Sequence, residues 1–349
     1  MSETLRRVLL VRTDRIGDVV LTTPAASILK ELFPGCRITF LTRKYTAPLL
    51  RHYPAIDEIL IYRPLENHRG WRGHLRLSAE VRQRQFDAAV LFYPTASLAA
   101  VLFWAGIPRR IGIRYRWYSP MFLNYPHSEH RKFGGKHELE FNLSLLQHLP
   151  GFKMPARIEF QFTLQKELTA WLEDEISGKM LSHGFVCIHP GSGGSAPNLS
   201  TEQYRVILRF LLTNTSWKIL LTGAASERVQ IDEVIRRENS DRIFNTAGEY
   251  TLEQLMGIIS RAKLLVASST GAIHIANAFR TPILSFFCPA TPTHPDRWGP
   301  YHQREWAIMP EVAPCKRGIP ERCPYHNCLS TLPDTLIESL LVQRINSLP

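Results

Sequence analysis

The 349-residue sequence predicts an α/β protein made of two doubly wound parallel sheets, and three observations carry that prediction. Short β-rich runs alternate with helical patterns through both halves, an order that produces parallel βαβ crossovers. Polar and glycine-rich loops follow the runs, as they do where a doubly wound sheet offers its carboxyl ends to ligands. A break at Pro150-Gly151 and Pro155, followed by the polar helix QKELTAWLEDEISGK, separates the halves. Domains of 1–165 and 166–349 follow, consistent with a length that favours two domains over one.

In the first half RRVLLVR is a β-rich run, TDRIGD a loop, and VVLTTPAASILKELF a helical stretch closed by Pro34-Gly35. RITFLTR and EILIY are the next strands, with a short helix over 47–52 between them. An arginine-rich helix and the strand FDAAVLFY complete the series. The second half repeats the theme. FVCIHPG, WKILLTG, KLLVASS and TPILSFFCP are its strands; TEQYRVILRFLLTN, SERVQIDEVIRREN, TLEQLMGIISRA and TGAIHIANAF are its helices.

A hydrophobic fraction of 44% and a charged fraction of 21% are those of an ordinary globular chain. The N-terminus has no apolar stretch with a small-residue cleavage site, so a secretory signal is not expected. Residues 88–107 carry no charge and approach spanning length, yet Pro94 divides them into a buried strand and a helix. Charge is the informative part. Residues 1–150 hold 22 Lys or Arg against 12 Asp or Glu, a net of +10, whereas residues 151–349 hold 20 against 19, a net of +1. Such asymmetry points to different partners for the two halves, with a solvated basic face as the plainer alternative.

Four loops are candidates for chemistry: Arg12–Asp18, His189–Ser195, Thr222–Ala224 and Ser268–Gly271. All are expected to open on one cleft between the domains. The TGAIH turn begins a helix whose free amides suit phosphate oxygens, although a helix cap alone explains it equally. His189-Pro190-Gly191-Ser192-Gly193-Gly194 permits close backbone approach, but it lacks the Gly-Lys-Ser/Thr of a P-loop. Asp18 is either a helix-capping carboxylate or a general base. Glu227 is either a first-turn acid or a ribose-hydroxyl acceptor. Arg109, Arg110, Arg114 and Arg116, interleaved with Tyr115 and Trp117, suit an anionic ligand. Nucleic acid is not expected, because no nucleic-acid module is present. Cys315, Cys323, His326 and Cys328 are four soft ligands without tight CxxC pairs, so packed cysteines are the default over structural zinc.

In LLVRTDRIGDVVLTTPA, GIPRRIGIRYR, KHELEFNLSLL, IHPGSGG, ILLTGAASE and NTAGEYTLEQLMGIISRAKLLVASSTGAIHIANAF the chain resembles glycosyltransferase family 9, the ADP-heptose:lipopolysaccharide heptosyltransferases. The resemblance implies a GT-B fold with acceptor bound in the N-terminal domain and nucleotide sugar in the C-terminal one. The last helix is expected to pack back on the N-terminal domain. It implies an inverting displacement without metal or cofactor, in which Asp18 deprotonates the acceptor hydroxyl. Donor contacts carried over are Ser192, Glu227, Ser269, Thr270, Gly271 and His274. Arg15, Arg110 and Arg114 are the expected acceptor contacts. The implied donor is ADP-heptose, and the implied acceptor is an anionic lipopolysaccharide inner core. A cytoplasmic protein peripheral to the inner membrane surface follows, with a basic half drawn to that surface.

Two departures stand out. The family's lysine after the HPG motif is missing from Pro197-Asn198-Leu199-Ser200, and its Asp-Ser/Thr-Gly motif becomes Ser269-Thr270-Gly271. Both fall on the donor side. A different nucleotide sugar, or a glycan-binding protein without activity, are the alternatives they raise.

Overall fold

The run RVLLV forms β1 (Arg7–Val11), whose last four residues are buried, as a central strand covered on both faces requires. In the computed structural model, which describes residues 4–131, 135–194, 196–313, 325 and 327–348, it is the centre of the first of two compact units, 1–163 and 164–349.

The first unit continues through α1 (Ile16–Val20), α2 (Pro24–Leu32), β2 (Arg37–Arg43), α3 (Ala47–Leu50), β3 (Glu58–Tyr62), α4 (Gly70–Arg82) and β4 (Ala88–Leu91). It closes with α5 (Ala96–Trp104), β5 (Arg109–Ile113), α6 (Ser119–Phe122), β6 (Tyr125–His127) and α7 (Glu138–Ser144). Its six strands are parallel in the order β3-β2-β1-β4-β5-β6. The layer of α4, α5 and α6 covers one core, where Leu77, Val81, Leu98, Val101, Leu102 and Tyr118 meet Leu9, Val11 and Leu91 of the sheet.

The second unit comprises α8 (Lys166–Gly178), β7 (Phe185–His189), α9 (Thr201–Asn214), β8 (Lys218–Leu221), α10 (Arg228–Ile235), β9 (Ile243–Asn245) and α11 (Leu252–Arg261). Then come β10 (Leu264–Ser268), α12 (Gly271–Ala278), β11 (Ile283–Phe286), α13 (Pro295–Trp298), β12 (Ala307–Ile308) and α14 (Asp334–Asn346). The strand order is β12-β11-β10-β7-β8-β9, again all parallel. Numbered within each unit, both sheets run 3-2-1-4-5-6, the doubly wound order whose switch point lies between its first and fourth strands.

Several local expectations need correction. The single helix expected over VVLTTPAASILKELF is two, because Pro24 has no N–H to continue α1 and instead starts α2. The helix expected from Ser226 to Asn239 is shorter: Ala225–Glu227 is a 3-10 turn and α10 ends at Ile235. Residues 88–107 divide as expected into β4 and the nine-residue α5. Among the described residues no helix is long and apolar enough to cross a membrane. The last helix, α14, buries Ile337 and Leu341 in the core of its own unit beside Tyr204, Leu208 and Leu211 of α9.

Candidate active site

Beyond β1 the backbone N–H of Arg12 still donates to Leu41 O, at 3.1 Å, which fixes Arg12 at the carboxyl end of the sheet's centre. The residue is 1% exposed. A guanidinium taken out of water is costly unless every donor finds an anion or a carbonyl. Here Nε donates to Asp14 at 2.7 Å, one terminal nitrogen to Asp18, and the other to Glu138 at 3.2 Å and Asn142 Oδ1 at 3.0 Å. Arg131 closes the cluster from the far side, 3.1 Å from Glu138 and 2.9 Å from Asn142. Asn142 then donates to Leu21 O and Thr22 Oγ1, both at 3.2 Å. Its fork geometry makes arginine suited to binding several carboxylates at once.

Burial by itself would lower the Arg12 pKa, but Asp18, Asp14 and Glu138 outweigh it and hold the guanidinium charged. Asp14 is pushed up to about 6, by burial first and by Asp18 as well, against the pull of Arg12. Asp18 is not the cap of α1. Arg15 occupies that position in extended backbone, and Asp18 lies in the first turn with its carboxylate turned to Arg12. Of the two roles open from the sequence, the N-cap is therefore excluded by position. Asp18 is 8% exposed.

Arg15 and Arg114 are exposed, at the carboxyl ends of β1 and β5. The backbone N–H of Arg114 donates to His127 O at 2.8 Å. Arg110 is elsewhere. It lies in the amino-terminal part of β5, where Nε donates to Phe122 O at 2.7 Å and a terminal nitrogen reaches Ile107 O. Arg110 and Arg114, expected together as acceptor contacts, are thus four residues apart along one strand, with Arg110 bonded to backbone carbonyls.

In the second unit β7 lies between β10 and β8, so the loops after these three strands are neighbours. His189 ends β7 opposite Ala267, and its Nδ1 is 2.9 Å from Thr222 Oγ1 at the end of β8. Burial lowers the His189 pKa against the opposing field of Glu227. Glu227 accepts from Ala224 N at 2.8 Å and from Gly193 N at 3.4 Å. A Cβ on Gly191 would stand 1.9 Å from Glu227 Oε1, so glycine is what lets the carboxylate reach the loop. Ser192 Oγ donates to Ala196 O at 2.9 Å.

Ser269 and Thr270 are half-buried after β10. Thr270 is the extended N-cap of α12 without a side-chain cap bond, Gly271 is the first helical residue, and His274 is buried one turn on. The His274 ring is 6.4 Å from that of Trp298, over which Arg297 stacks at 4.8 Å. Uncapped first-turn amides and a positive helix end are suited to an anion.

The segment lacking the family's lysine has a structural task instead. Leu199 is buried and its N–H donates to Ser268 Oγ at 3.0 Å, while Ser200 and Gln203 form the capping box that starts α9. Of the four soft ligands, Cys315, Cys323 and His326 lie outside the described residues. Cys328 is buried with its Sγ 3.0 Å from that of Cys288. Among the described residues no group of three or more His, Cys, Asp or Glu is placed to hold a metal ion.

Reading the sequence missed Arg12, Asp14, Glu138, Asn142 and Arg131 as a unit. One signal was present. Glu138 and Asn142 interrupt an apolar helix, HELEFNLSLL, and charged residues are almost never fully buried unless paired.

Residues 74–328 match the family model Glycosyltransferase family 9 (heptosyltransferase). A Haemophilus influenzae protein whose glycosyltransferase name is provisional is 26% identical over 303 residues, 85% of this chain and 86% of that protein. Among solved structures, the family 9 glycosyl transferase of Veillonella parvula superposes with a TM-score of 0.85 at 18% identity, covering 99% of both chains. The ADP-heptose lps heptosyltransferase II of E. coli superposes with a TM-score of 0.77 at 19% identity, covering 97% of this chain and 98% of that one. The two doubly wound sheets are thus the GT-B fold of these structures.

Proposed function

The chain belongs to glycosyltransferase family 9, and from that premise we propose that it is an inverting transferase moving a heptose from ADP-heptose to an anionic lipopolysaccharide inner core. The carrying observation is the Asp18 carboxylate, held by a buried Arg12 in the loop after β1. In the proposed step the acceptor hydroxyl oxygen attacks the anomeric carbon, its proton passes to Asp18, and the bond to the diphosphate breaks with ADP leaving. A general base must reach the proton it removes, and its efficiency depends on a fixed geometry. Arg12 supplies that geometry. Diphosphate charge is assigned to the first-turn amides of α12 at Thr270 and Gly271, with Ser192, Ser269 and His274 beside them and Glu227 on the nucleotide ribose. The contact chain His274–Trp298–Arg297 makes Arg297 our candidate for the cation that the absent lysine supplies in relatives.

Arg15 and Arg114 are assigned to the acceptor's carboxylates or phosphates. The N-terminal unit holds 24 Lys or Arg against 13 Asp or Glu, whereas the C-terminal unit holds 18 of each. That excess supports an anionic acceptor and peripheral attachment to the inner membrane on its cytoplasmic side. A second donor sugar is the competing reading, favoured by Ser269 and the Pro197–Ser200 segment standing where relatives carry charge.

A transfer screen across nucleotide sugars, with a delipidated core oligosaccharide as acceptor, tests the proposal. ADP-heptose should give the fastest turnover, and Asp18→Asn should lower it about 10²- to 10⁴-fold with donor affinity kept. Turnover by the Asn variant at the wild-type rate would refute the base, and preference for another donor would establish the competing sugar.

A further inference from the structure

We infer that the outer surface of the α4–α5–α6 layer docks on an anionic lipid bilayer, through an aromatic and arginine patch lying outside the residues assigned to transfer. The inference deepens the peripheral-membrane part of the proposed function by naming the face that makes the contact.

The patch begins with what these helices do not bury. α4 turns Leu77 and Val81 to the core, which leaves Trp71, Arg72, Leu75, Arg76 and Arg82 on its outer side. Trp71 and Leu75 are one turn apart and therefore neighbours. Arg72 lies over the Trp71 ring at 5.2 Å. At the other end of α4 the guanidinium of Arg82 donates to Trp104 O at the end of α5, joining the two helices. From there the surface continues through Phe103, whose ring is 5.8 Å from that of Phe122, into α6 and its Met121. Trp71 is 64%, Met121 60% and Phe103 44% exposed.

Large apolar side chains exposed side by side on a soluble domain mark an interaction surface. Charge decides which partner. No acidic residue occurs between Asp87 and Glu129, so α5, α6 and the loops around them carry arginine alone. On α4 the single acid, Glu80, lies 3.4 Å from His68 Nε2. Tryptophan beside arginine is the composition that settles at the boundary of headgroups and acyl chains, with the ring at headgroup depth and the cation on anionic lipid. A second copy of this chain would meet its own arginines across the contact, like charge against like charge. Among the described residues of the C-terminal unit, the exposed large apolar side chains are Met180, Val229, Tyr325, Leu336 and Val342, with neither Trp nor Phe.

Sedimentation with vesicles of 30% phosphatidylglycerol in phosphatidylcholine tests this, beside vesicles of phosphatidylcholine alone. The wild-type chain should sediment with the anionic vesicles and be released as salt is raised. Trp71→Ser/Met121→Ser, and separately Arg72→Gln/Arg76→Gln, should each weaken the partition at least tenfold. Both should turn over a delipidated acceptor at the wild-type rate, which separates failure of this face from failure of the transferase reading. Quenching of tryptophan fluorescence by brominated lipid provides a readout on the wild-type chain, and Trp71→Phe should remove part of it. Equal sedimentation of wild type and both variants, absence of quenching, or a patch-dependent dimer in place of vesicle binding would each overturn the inference.

Discussion

The two units have one topology and opposite loop chemistry. At the carboxyl end of β1 the first unit places a buried arginine among three carboxylates, Asp14, Asp18 and Glu138. At the equivalent end of β7 the second unit places glycines, hydroxyls and backbone amides, with Glu227 accepting from Gly193 N and Ala224 N. The same difference extends to their surfaces, one strongly basic with exposed tryptophans and the other balanced. A doubly wound sheet therefore fixes where a site lies, and the few residues after each strand fix what it does. On the proposed reading the first loop holds a carboxylate by charge for use as a base, whereas the second offers amides and hydroxyls to a diphosphate, with Arg297 as the candidate cation.

Arg12→Met breaks the comparison most directly, since it leaves Asp14, Asp18 and Glu138 without their shared cation. A loss of about 3–5 kcal/mol in unfolding free energy is expected, because removing one partner strands buried charge. Denaturant titration measures it; a loss below about 1 kcal/mol would show that Arg131 suffices.

Next in size is a pH effect at Asp14. Its carboxyl titrates near 6 in the folded protein against an ordinary value of 3.8, so the folded state binds the extra proton between these values. That contribution is complete below about pH 4 and is lost as pH rises through 6. Relative to Asp14→Asn, the wild-type chain should lose up to about 3 kcal/mol of stability over that window, the shift converted at 1.36 kcal/mol per unit. A pH-independent difference between the two chains would contradict the raised carboxyl.

Arg114→Ala and Arg110→Ala sharpen the comparison within one strand. Arg114→Ala should raise acceptor KM about tenfold with little change in melting temperature. Arg110→Ala should lower stability by about 1–2 kcal/mol, the cost of lost hydrogen bonds to two carbonyls, with acceptor KM unchanged. An equal rise in KM for both would support the joint acceptor role expected from the sequence.

The smallest effect belongs to the second unit. Gly191→Ala should displace the Glu227 carboxylate and weaken donor binding about tenfold without unfolding, since the atom met is the end of a flexible side chain. Calorimetry with ADP on this variant and on Glu227→Ala should find the two losses far from additive, as for residues in contact. Full additivity would show that Gly191 acts by another route.

The sequence by itself determined the two-sheet architecture, most strands and the loops that follow them. Buried parallel strands read as continuous apolar runs, and RVLLV, FVCIH and LLVAS show it without any neighbour in view. Asp18 stood out as a candidate from the glycine before it and from the family's motif, and its carboxylate pairs with Arg12. The break before Pro24 and the strand at Arg109–Ile113 were harder, because a proline admits either a kink or a new start and two arginines mask a β-run. Only tertiary structure decided which charges meet. Arg12 and Glu138 are 126 residues apart, and nothing local distinguishes a carboxylate aimed at a distant guanidinium from one aimed at water. Arg110 and Arg114 are near in sequence and at different ends of one strand, because an extended chain rises about 3.3 Å per residue. Local propensity sets what a segment becomes; long-range packing sets what its side chains touch.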